Sequence, residues 1–143
     1  MTPQERAERS AAAMWAGDAA SKHLGIVLDA VGPGRAVLSF TVRPEHLNGH
    51  GICHGGYIFT LADSAFAFAC NSHNRLVVAQ QNSITYLSPG REGERLRAEA
   101  VEVSLTGRSG IYDVTVTGGD GRKLALFRGL SRQIEGQHFE EEA

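Results

Sequence analysis

The chain has 143 residues, is 42% hydrophobic and 21% charged, and carries a formal net charge of -2 at pH 7. This length favours one compact domain, and no cluster of Lys and Arg gives the footprint of a nucleic-acid partner. The two cysteines, Cys53 and Cys70, are too few for a disulfide framework and predict a reducing, cytoplasmic location. No uncharged apolar run reaches the length of about 18 residues that a membrane span needs, so a membrane is also excluded as a partner.

The first third of the chain predicts a helix, two strands and a loop. The opening residues, Thr-Pro-Gln-Glu from Thr2, have the spacing of a capping box with proline at the first helical position. The predicted segments are a helix from Thr2 to Gly17, strands over 24–31 and 35–42, a Gly-Pro-Gly turn at 32–34, and a loop rich in Gly, His and Asn over 45–53.

Residues 54–72 form the most informative segment. The segment lacks proline and consists almost wholly of Ala, Phe, Leu, Ile and small polar residues, which indicates a helix buried on most of its circumference. The glycine pair Gly55-Gly56 at its start lets other groups approach the backbone.

The rest of the chain predicts strands joined by short turns. These strands cover 77–87, 93–105, 111–117 and 123–134, and a change of apolar parity predicts a β-bulge near Ala100. The sum is a single α+β domain over residues 1–134, in which a mostly antiparallel sheet covers one central helix. Residues 135–143 form an acidic tail that adds four Glu and nothing basic, and we expect its Glu140-Glu141-Glu142 to be solvated and disordered.

Asp63 is the only charged residue inside the apolar helix. An unpaired carboxylate there costs on the order of several kcal/mol unless it is hydrogen-bonded or lies at a cleft. One interpretation is a buried Asp bonded to backbone or hydroxyl groups. We favour a functional acid, because perturbed carboxylates cluster in active sites.

Gly55 and Gly56 offer a complementary group. The N–H groups of a helix N-terminus lack intrahelical acceptors and favour negative charge, so an oxyanion hole is chemically natural here. Such glycines also serve close packing and sharp turns. Eight residues of helix, about 12 Å, separate Gly55 from Asp63. If both groups act on one carbonyl, a second copy of the helix must supply Asp63, and the protein must be a dimer.

The loop before the helix carries a rival pattern of metal-ligand residue types, His46, His50, Cys53 and His54. No second Cys/His pair lies nearby in the sequence, so we predict no metal. Cys53 next to His54 also suggests a thiolate nucleophile. Neighbours in sequence seldom point at each other, and a packed free thiol is the simpler interpretation.

Other polar residues have two interpretations each. Asn48 either donates an N–H to a substrate or caps its own loop. The arginines Arg91, Arg108 and Arg128 either contact an anionic substrate through charge-assisted bonds or lie solvated on the surface.

Taken together, these motifs resemble those of a known family. Asn48-Gly49-His50, His54-Gly55-Gly56 and Leu61-Ala62-Asp63 resemble the PaaI-type acyl-CoA thioesterases of the hotdog-fold superfamily. The likeness continues in Asn71-Ser72, Ser88-Pro89-Gly90, Tyr112-Asp113-Val114 and Leu126-Phe127-Arg128-Gly129, and it covers about residues 20–134. The triplet HGG with an acid eight residues later, inside Leu-Ala-Asp, is specific for this group.

The resemblance implies a fold, an assembly and a reaction. The fold is a hotdog, an antiparallel β-sheet wrapped around a long central helix, which forms a homodimer with a continuous sheet and pairs into a homotetramer. The reaction is hydrolysis of acyl-CoA thioesters, with phenylacetyl-CoA and its hydroxylated forms favoured. No cofactor is implied, since CoA is part of the substrate.

The resemblance also assigns roles to residues. Gly55 N–H polarises the thioester carbonyl, Asp63 of the facing subunit acts as nucleophile or general base, and His54 and Asn48 orient the thioester or the water. Gly56, Arg91 and Arg108 are expected to contact the substrate. Some relatives place a hydroxyl one turn after the acid, where this chain has Ala67.

The alternative functions are a non-catalytic acyl-CoA-binding protein or a dehydratase on the same fold, and a metal enzyme built on the loop.

Overall fold

The structure, a computed structural model, describes residues 1–142. Its elements in chain order are α1 (Pro3–Ala16), α2 (Ala19–Leu24), β1 (Val27–Gly32), β2 (Arg35–Thr41), a 3-10 turn (Pro44–His46), α3 (Gly55–Cys70), β3 (Val77–Tyr86), β4 (Arg95–Thr106), β5 (Ser109–Thr117) and β6 (Lys123–Gln133). Within residues 1–142, no helix is long and apolar enough to cross a membrane.

The six strands form one antiparallel sheet in the order β1-β2-β4-β5-β6-β3. Helix α3 packs against all six strands, so the sheet wraps around it. The side chains that α3 buries are Ile58, Leu61, Ala62, Ala65, Phe66, Phe68, Ala69 and Cys70. Contact is closest at Gly129 of β6, where a Cβ atom would lie 2.7 Å from the Phe66 ring, so only glycine lets the strand approach the helix this closely.

The N-terminal helix forms as its sequence predicts. The Thr2 hydroxyl accepts from Glu5 N–H, and the Glu5 carboxylate accepts from Thr2 N–H, which completes the capping box. The second helix, α2, is absent from the sequence prediction, which starts a strand at Leu24 instead. Asp18 supplies its N-cap by accepting from Ser21 N–H at 2.9 Å, and Gly25 ends it in the left-handed conformation.

The predicted bulge in β4 is present but lies nearer the end of the strand. Pairing with β5 shifts register between Glu102 and Ser104, so the extra residue is Val103, three residues beyond Ala100, near which the bulge is predicted. Ala100 keeps its pairing with Val114 because both side chains are buried against α3. The bulge leaves Val103 exposed and turns Glu102 towards the inside of the sheet.

The acidic tail contacts the body of the protein through His138, Phe139 and Glu141, and Ala143 lies outside the described residues. The backbone N–H groups of His138 and Phe139 both donate to Asn74 Oδ1, and Arg9 stacks over the Phe139 ring at 4.2 Å. Glu141 forms an ion pair with Arg6 of α1, so the expected disorder is wrong at this residue. Glu140, Glu141 and Glu142 are all exposed, as expected.

Candidate active site

The N-terminus of α3 presents one free backbone donor. His54 is the N-cap, and its Nδ1 atom accepts from Gly56 N–H at 2.9 Å. The Tyr57 N–H donates to the carbonyl of His54. Among residues 1–142, Gly55 N–H finds no hydrogen-bond acceptor. The orphaned donor predicted at the helix start is therefore specifically that of Gly55.

Tyr86, at the end of β3, covers the first turn of α3 and was missed by the sequence analysis. Its hydroxyl donates to the Gly55 carbonyl at 2.9 Å. A Cβ atom on Gly55 would lie 3.2 Å from the Tyr86 ring, so the glycine permits a close approach. Partial burial raises the pKa of Tyr86, which keeps the hydroxyl a neutral donor. No sequence pattern links these two residues, which are 31 positions apart.

A cavity of about 380 Å³ opens at this end of α3. Its lining residues are Asn48, Ile52, Cys53, Gly55, Ile58, Tyr86, Leu87, Ser88 and Pro89. Two larger cavities of about 430 and 470 Å³ lie between α1 and β1 and beside the loop after α3, and neither includes Gly55 or Asp63. The smaller cavity is the one into which a free helix N-terminal donor opens, surrounded by largely apolar side chains.

Asn48 serves its own loop through one end of its amide. The Oδ1 atom accepts from the N–H groups of His50 at 2.9 Å and Ile52 at 3.4 Å, which is the loop-capping interpretation. The Nδ2 atom donates to no acceptor among residues 1–142, and the side chain lines the cavity. The amide is thus anchored by its oxygen and offers its donor end to a ligand.

Asp63 lies in the middle of α3 and is half-buried. Its Oδ1 atom accepts from Asn82 Nδ2, on β3, at 3.0 Å. Burial raises the pKa of Asp63, and the hydrogen bond from Asn82 opposes this without outweighing it. Asp63 does not line the cavity at Gly55, so one protomer keeps its acid and its free donor about 12 Å apart along the helix.

The three candidate arginines occupy different places. Arg91 is exposed in the turn after Gly90, whose carbonyl accepts from Cys53 N–H, so it lies at the cavity end of α3. Arg108 is exposed in the β4–β5 turn at the other end of α3. Arg128 forms a bidentate pair with Asp113 at 2.7 and 2.8 Å, which occupies its guanidinium.

The loop residues of the rival pattern point to different partners. His46 is buried, its Nδ1 accepts from Arg43 N–H, and burial together with the Arg43 charge lowers its pKa. His50 is exposed, and His54 is engaged with Gly56. Within residues 1–142, no three His, Cys, Asp or Glu side chains converge as a metal site would require. Burial raises the pKa of Cys53 to about 11, which disfavours the thiolate that a nucleophile needs.

Comparison with known proteins places this site in a family. The family model described as "Thioesterase superfamily" matches residues 50–125, a span that contains α3, β3, β4 and β5. The chain belongs to the thioesterase superfamily. The acyl-coenzyme A thioesterase PaaI of Escherichia coli is 42% identical to this thioesterase over 131 residues, which cover 92% of this chain and 94% of the relative.

Solved structures agree with this assignment. The E. coli PaaI protein, from the phenylacetic acid degradation operon, superposes with a TM-score of 0.93 over 95% of this chain and 99% of its own, at 40% identity. A Streptococcus mutans protein solved bound to acetyl CoA superposes with a TM-score of 0.75 at 28% identity, over 78% of this chain and 90% of its own. The resemblance to PaaI-type thioesterases, the hotdog fold and the enzymatic class are therefore confirmed.

Proposed function

We propose that this thioesterase hydrolyses acyl-CoA thioesters to the free acid and CoA, and that aryl-acetyl groups such as phenylacetyl or its hydroxylated forms are its preferred acyl groups. The observation that carries the proposal is the unpartnered Gly55 N–H at the mouth of an apolar cavity, on the same helix as Asp63, whose pKa is raised by burial. The relatives support the acyl-CoA class, since one is an acyl-coenzyme A thioesterase and another was solved bound to acetyl CoA. Ile58, Leu87 and the Tyr86 ring give the cavity the apolar character that an aryl group needs.

The proposed site is shared between two subunits. Asp63 cannot reach a carbonyl bound at Gly55 of its own chain, because eight helical residues separate them. Strand β3 supports a symmetric solution, since within residues 1–142 it is the last strand on its side of the sheet and pairs only with β6. Its other edge leaves N–H and C=O groups that a second copy of β3 can pair with, and most of its side chains are exposed.

Two contacts within the protomer support a proposed position for the symmetry axis. Asn82 of β3 touches Asp63, and Tyr86 of β3 touches Gly55, so the strand runs antiparallel alongside the helix. Four strand residues span about 13 Å and eight helical residues about 12 Å, so the strand and the helix cover nearly the same length between the two contacts. A two-fold axis at Ile84, midway between the two contacts, brings Asp63 beside the partner subunit's Gly55 and generates two equivalent sites.

The chemistry follows from this placement. The Gly55 N–H and the N-terminal end of α3 stabilise the negative charge that develops on the thioester oxygen, an effect of about 2.7–4 kcal/mol for one donor in other enzymes. Asp63, as nucleophile or general base, completes the attack. His54 positions the Gly56 peptide and, with the free Nδ2 of Asn48, orients the thioester or the water.

Binding of CoA is proposed to use the arginines from both chains. Arg91 lies at the cavity end of α3 and can meet the phosphates of the nucleotide. Arg108 lies at the opposite end, so it can contribute only from the partner subunit. Gly56 lies in the first turn beside the thioester. The homodimer is the active unit, the pairing of dimers into a homotetramer is part of the proposal, and no resident cofactor is required.

The function is tested by assaying free-thiol release from a panel of aryl-acetyl, short-chain and long-chain acyl-CoAs with the wild type and Asp63→Asn. Wild type is expected to prefer the aryl-acetyl members, and Asp63→Asn is expected to lose hydrolysis while it still binds CoA. Near-full hydrolysis by Asp63→Asn would refute the role of the acid. Binding of every acyl-CoA without thiol release would identify a binding protein instead.

The shared site is tested by complementation. Gly55→Pro removes the free N–H while remaining compatible with the first helical position, since His54 has the extended conformation (φ -59°, ψ 131°) that precedes proline readily. Gly55→Ala, which adds a Cβ atom and keeps the N–H, is the matched control for crowding at Tyr86. Each of Gly55→Pro and Asp63→Asn alone should be inactive.

Co-expression with two different tags isolates the mixed dimer of these variants. One of its two sites then combines an intact Gly55 from one chain with an intact Asp63 from the other, so about half of the wild-type activity per dimer is expected. A mixed dimer as inactive as its parents would place both groups within one chain and overturn the shared site.

A further inference from the structure

Asn82 is a polar side chain that faces inward from the edge strand β3. The sequence motifs do not include it, and its neighbours Gln81 and Ser83 are both exposed, whereas Asn82 is half-buried. Its side chain reaches across to α3 and donates from Nδ2 to Asp63 Oδ1 at 3.0 Å. Among residues 1–142, this is the only hydrogen bond that the Asp63 carboxylate receives from another side chain.

The direction of this hydrogen bond fixes the orientation of the amide. An ionised carboxylate has only acceptors, so the Asn82 NH₂ group must face it and the carbonyl oxygen must face away. The opposite orientation would bring two acceptor oxygens together. The Oδ1 atom of Asn82 is therefore held in place by the same contact that holds Asp63.

The Oδ1 atom itself is buried and has no partner within residues 1–142. A buried acceptor without a donor destabilises a protein, and native proteins seldom leave one unless a water or ligand supplies the hydrogen. A second copy of β3 paired about Ile84 sets Asn82 opposite the partner's Tyr86. The orphaned oxygen then lies at the junction of Asp63 and the partner subunit's Gly55.

We propose that Asn82 is a positioning residue for the hydrolysis, which holds the Asp63 carboxylate through Nδ2 and accepts one hydrogen of the attacking water through Oδ1. The inference rests on the shared site proposed above and assigns Asp63 the general-base role. The water donates its other hydrogen to the free oxygen of Asp63, so its lone pair is directed at the thioester carbonyl held by Gly55 N–H.

The step balances without any further reactant. Asp63 takes a proton as the water oxygen bonds to the carbonyl carbon, and the carbonyl oxygen becomes an oxyanion at Gly55 N–H. The carbon–sulfur bond then breaks, and the proton on Asp63 passes to the leaving thiolate of CoA. The products are the carboxylic acid and the CoA thiol, and Asp63 returns to its ionised form.

The surroundings of Asp63 make Asn82 the group that tunes it. Burial raises the pKa of Asp63, and the hydrogen bond from Asn82 is the one contact that lowers it. The titratable group within electrostatic range on the same helix is Cys70, whose pKa burial raises to about 12, so it stays neutral. Without Asn82 the carboxylate should require a higher pH to ionise.

The test compares Asn82→Leu, which keeps similar volume but removes both polar ends, with the control Ser83→Ala on the opposite face of β3. For Asn82→Leu we expect kcat to fall about 10–100-fold, the effect of losing one hydrogen bond to a charged group, while KM changes little. The acid limb of the kcat/KM profile should move to higher pH. Ser83→Ala should match wild type in both. An unchanged kcat and acid limb in Asn82→Leu would overturn the proposal.

A second variant covers loss of folding or dimerisation by Asn82→Leu. Asn82→Asp keeps the size and an acceptor but sets a like charge beside Asp63, so its acid limb should lie at higher pH than that of wild type. An unmoved limb in a dimeric Asn82→Asp would also overturn the proposal. If Asp63→Asn itself keeps full activity, the proposed function fails first, which separates the two failures.

The water is tested by a single turnover in H₂¹⁸O with enzyme in excess. We expect the label in the carboxylic acid product and none in the enzyme. Peptide mass spectrometry that finds ¹⁸O in the Asp63 carboxylate would show direct attack by Asp63 and would overturn the water-positioning role of Asn82.

Discussion

Two partly buried carboxyl groups of this thioesterase, Glu102 and Asp63, differ in their hydrogen bonds and have pKa values shifted in opposite directions. Glu102 of β4 accepts from the Tyr112 hydroxyl at 2.7 Å and from His73 Nε2 at 2.9 Å. Burial raises its pKa, but the two hydrogen bonds outweigh burial and the net pKa is lowered. Asp63 has one amide donor, and its pKa is raised.

The difference is the one expected between a structural acid, Glu102, and the proposed catalytic acid, Asp63. At the C-terminal end of α3 the polar groups are satisfied, for example by Ser72, whose hydroxyl donates to Ala69 O and accepts from Gly34 N–H. At the N-terminal half of α3 and on β3 beside it, Gly55 N–H and Asn82 Oδ1 have no hydrogen-bond partner among residues 1–142. Unfilled hydrogen-bonding capacity next to a cavity is what a substrate and a water would complete.

The largest contrast is expected in turnover. Asp63→Asn removes the proton acceptor and should lower kcat about 10²–10⁴-fold, the usual contribution of a positioned acid or base. Glu102→Gln keeps the shape of a side chain that contacts neither the cavity nor Asp63, so kcat/KM should stay within about twofold of wild type. Steady-state kinetics on a single acyl-CoA measures both. A large loss of turnover in a folded Glu102→Gln would break the distinction between the two acids.

A smaller effect is expected on stability at acid pH. A lowered pKa means that Glu102 stabilises the fold above its ordinary value of 4.5 and loses this contribution as pH falls through the lower value of the folded state. Tyr112→Phe removes one hydrogen bond to the charged group and should lower the free energy of unfolding by about 1.5–3 kcal/mol at pH 7. Denaturant titrations should find the deficit smaller at pH 3. A deficit independent of pH would assign Tyr112 a packing role only.

The smallest expected effect is a gain in stability on replacing Asp63, opposite in sign to the loss expected for Tyr112→Phe. The raised pKa of Asp63 favours the folded state below its ordinary value of 3.8, and this contribution is lost as pH rises through the folded value. Ionised Asp63 therefore destabilises the folded state near neutral pH. Asp63→Asn should raise the free energy of unfolding by about 0.5–2 kcal/mol at pH 7, a gain typical of a functional residue replaced by a neutral one. The gain should vanish at pH 3, and a destabilised variant at pH 7 would contradict the sign.

The sequence predicted most of the local features of the fold and of the candidate site. The capping box at Thr2, the length and burial of α3, the free donor at Gly55 and the isolated acid at Asp63 are all readable from neighbouring residues. The bulge was detected but placed three residues early, because parity of apolar residues does not reveal which strand supplies the pairing partner. Composition predicts disorder at Glu140-Glu141-Glu142, but it says nothing about the ion pair of Glu141 with Arg6 or about the contacts of the neighbouring Phe139.

The sequence by itself determined the fold class, the family and the pair of groups on one helix, because periodicity and motif spacing act over short stretches of chain. Only the tertiary structure decided what faces those groups. Tyr86 at Gly55 and Asn82 at Asp63 come from a strand that the sheet order brings alongside the helix. Such contacts depend on how distant segments pack, so their hydrogen bonds, and the resulting pKa of the acid, follow from the fold and not from the spacing of residues.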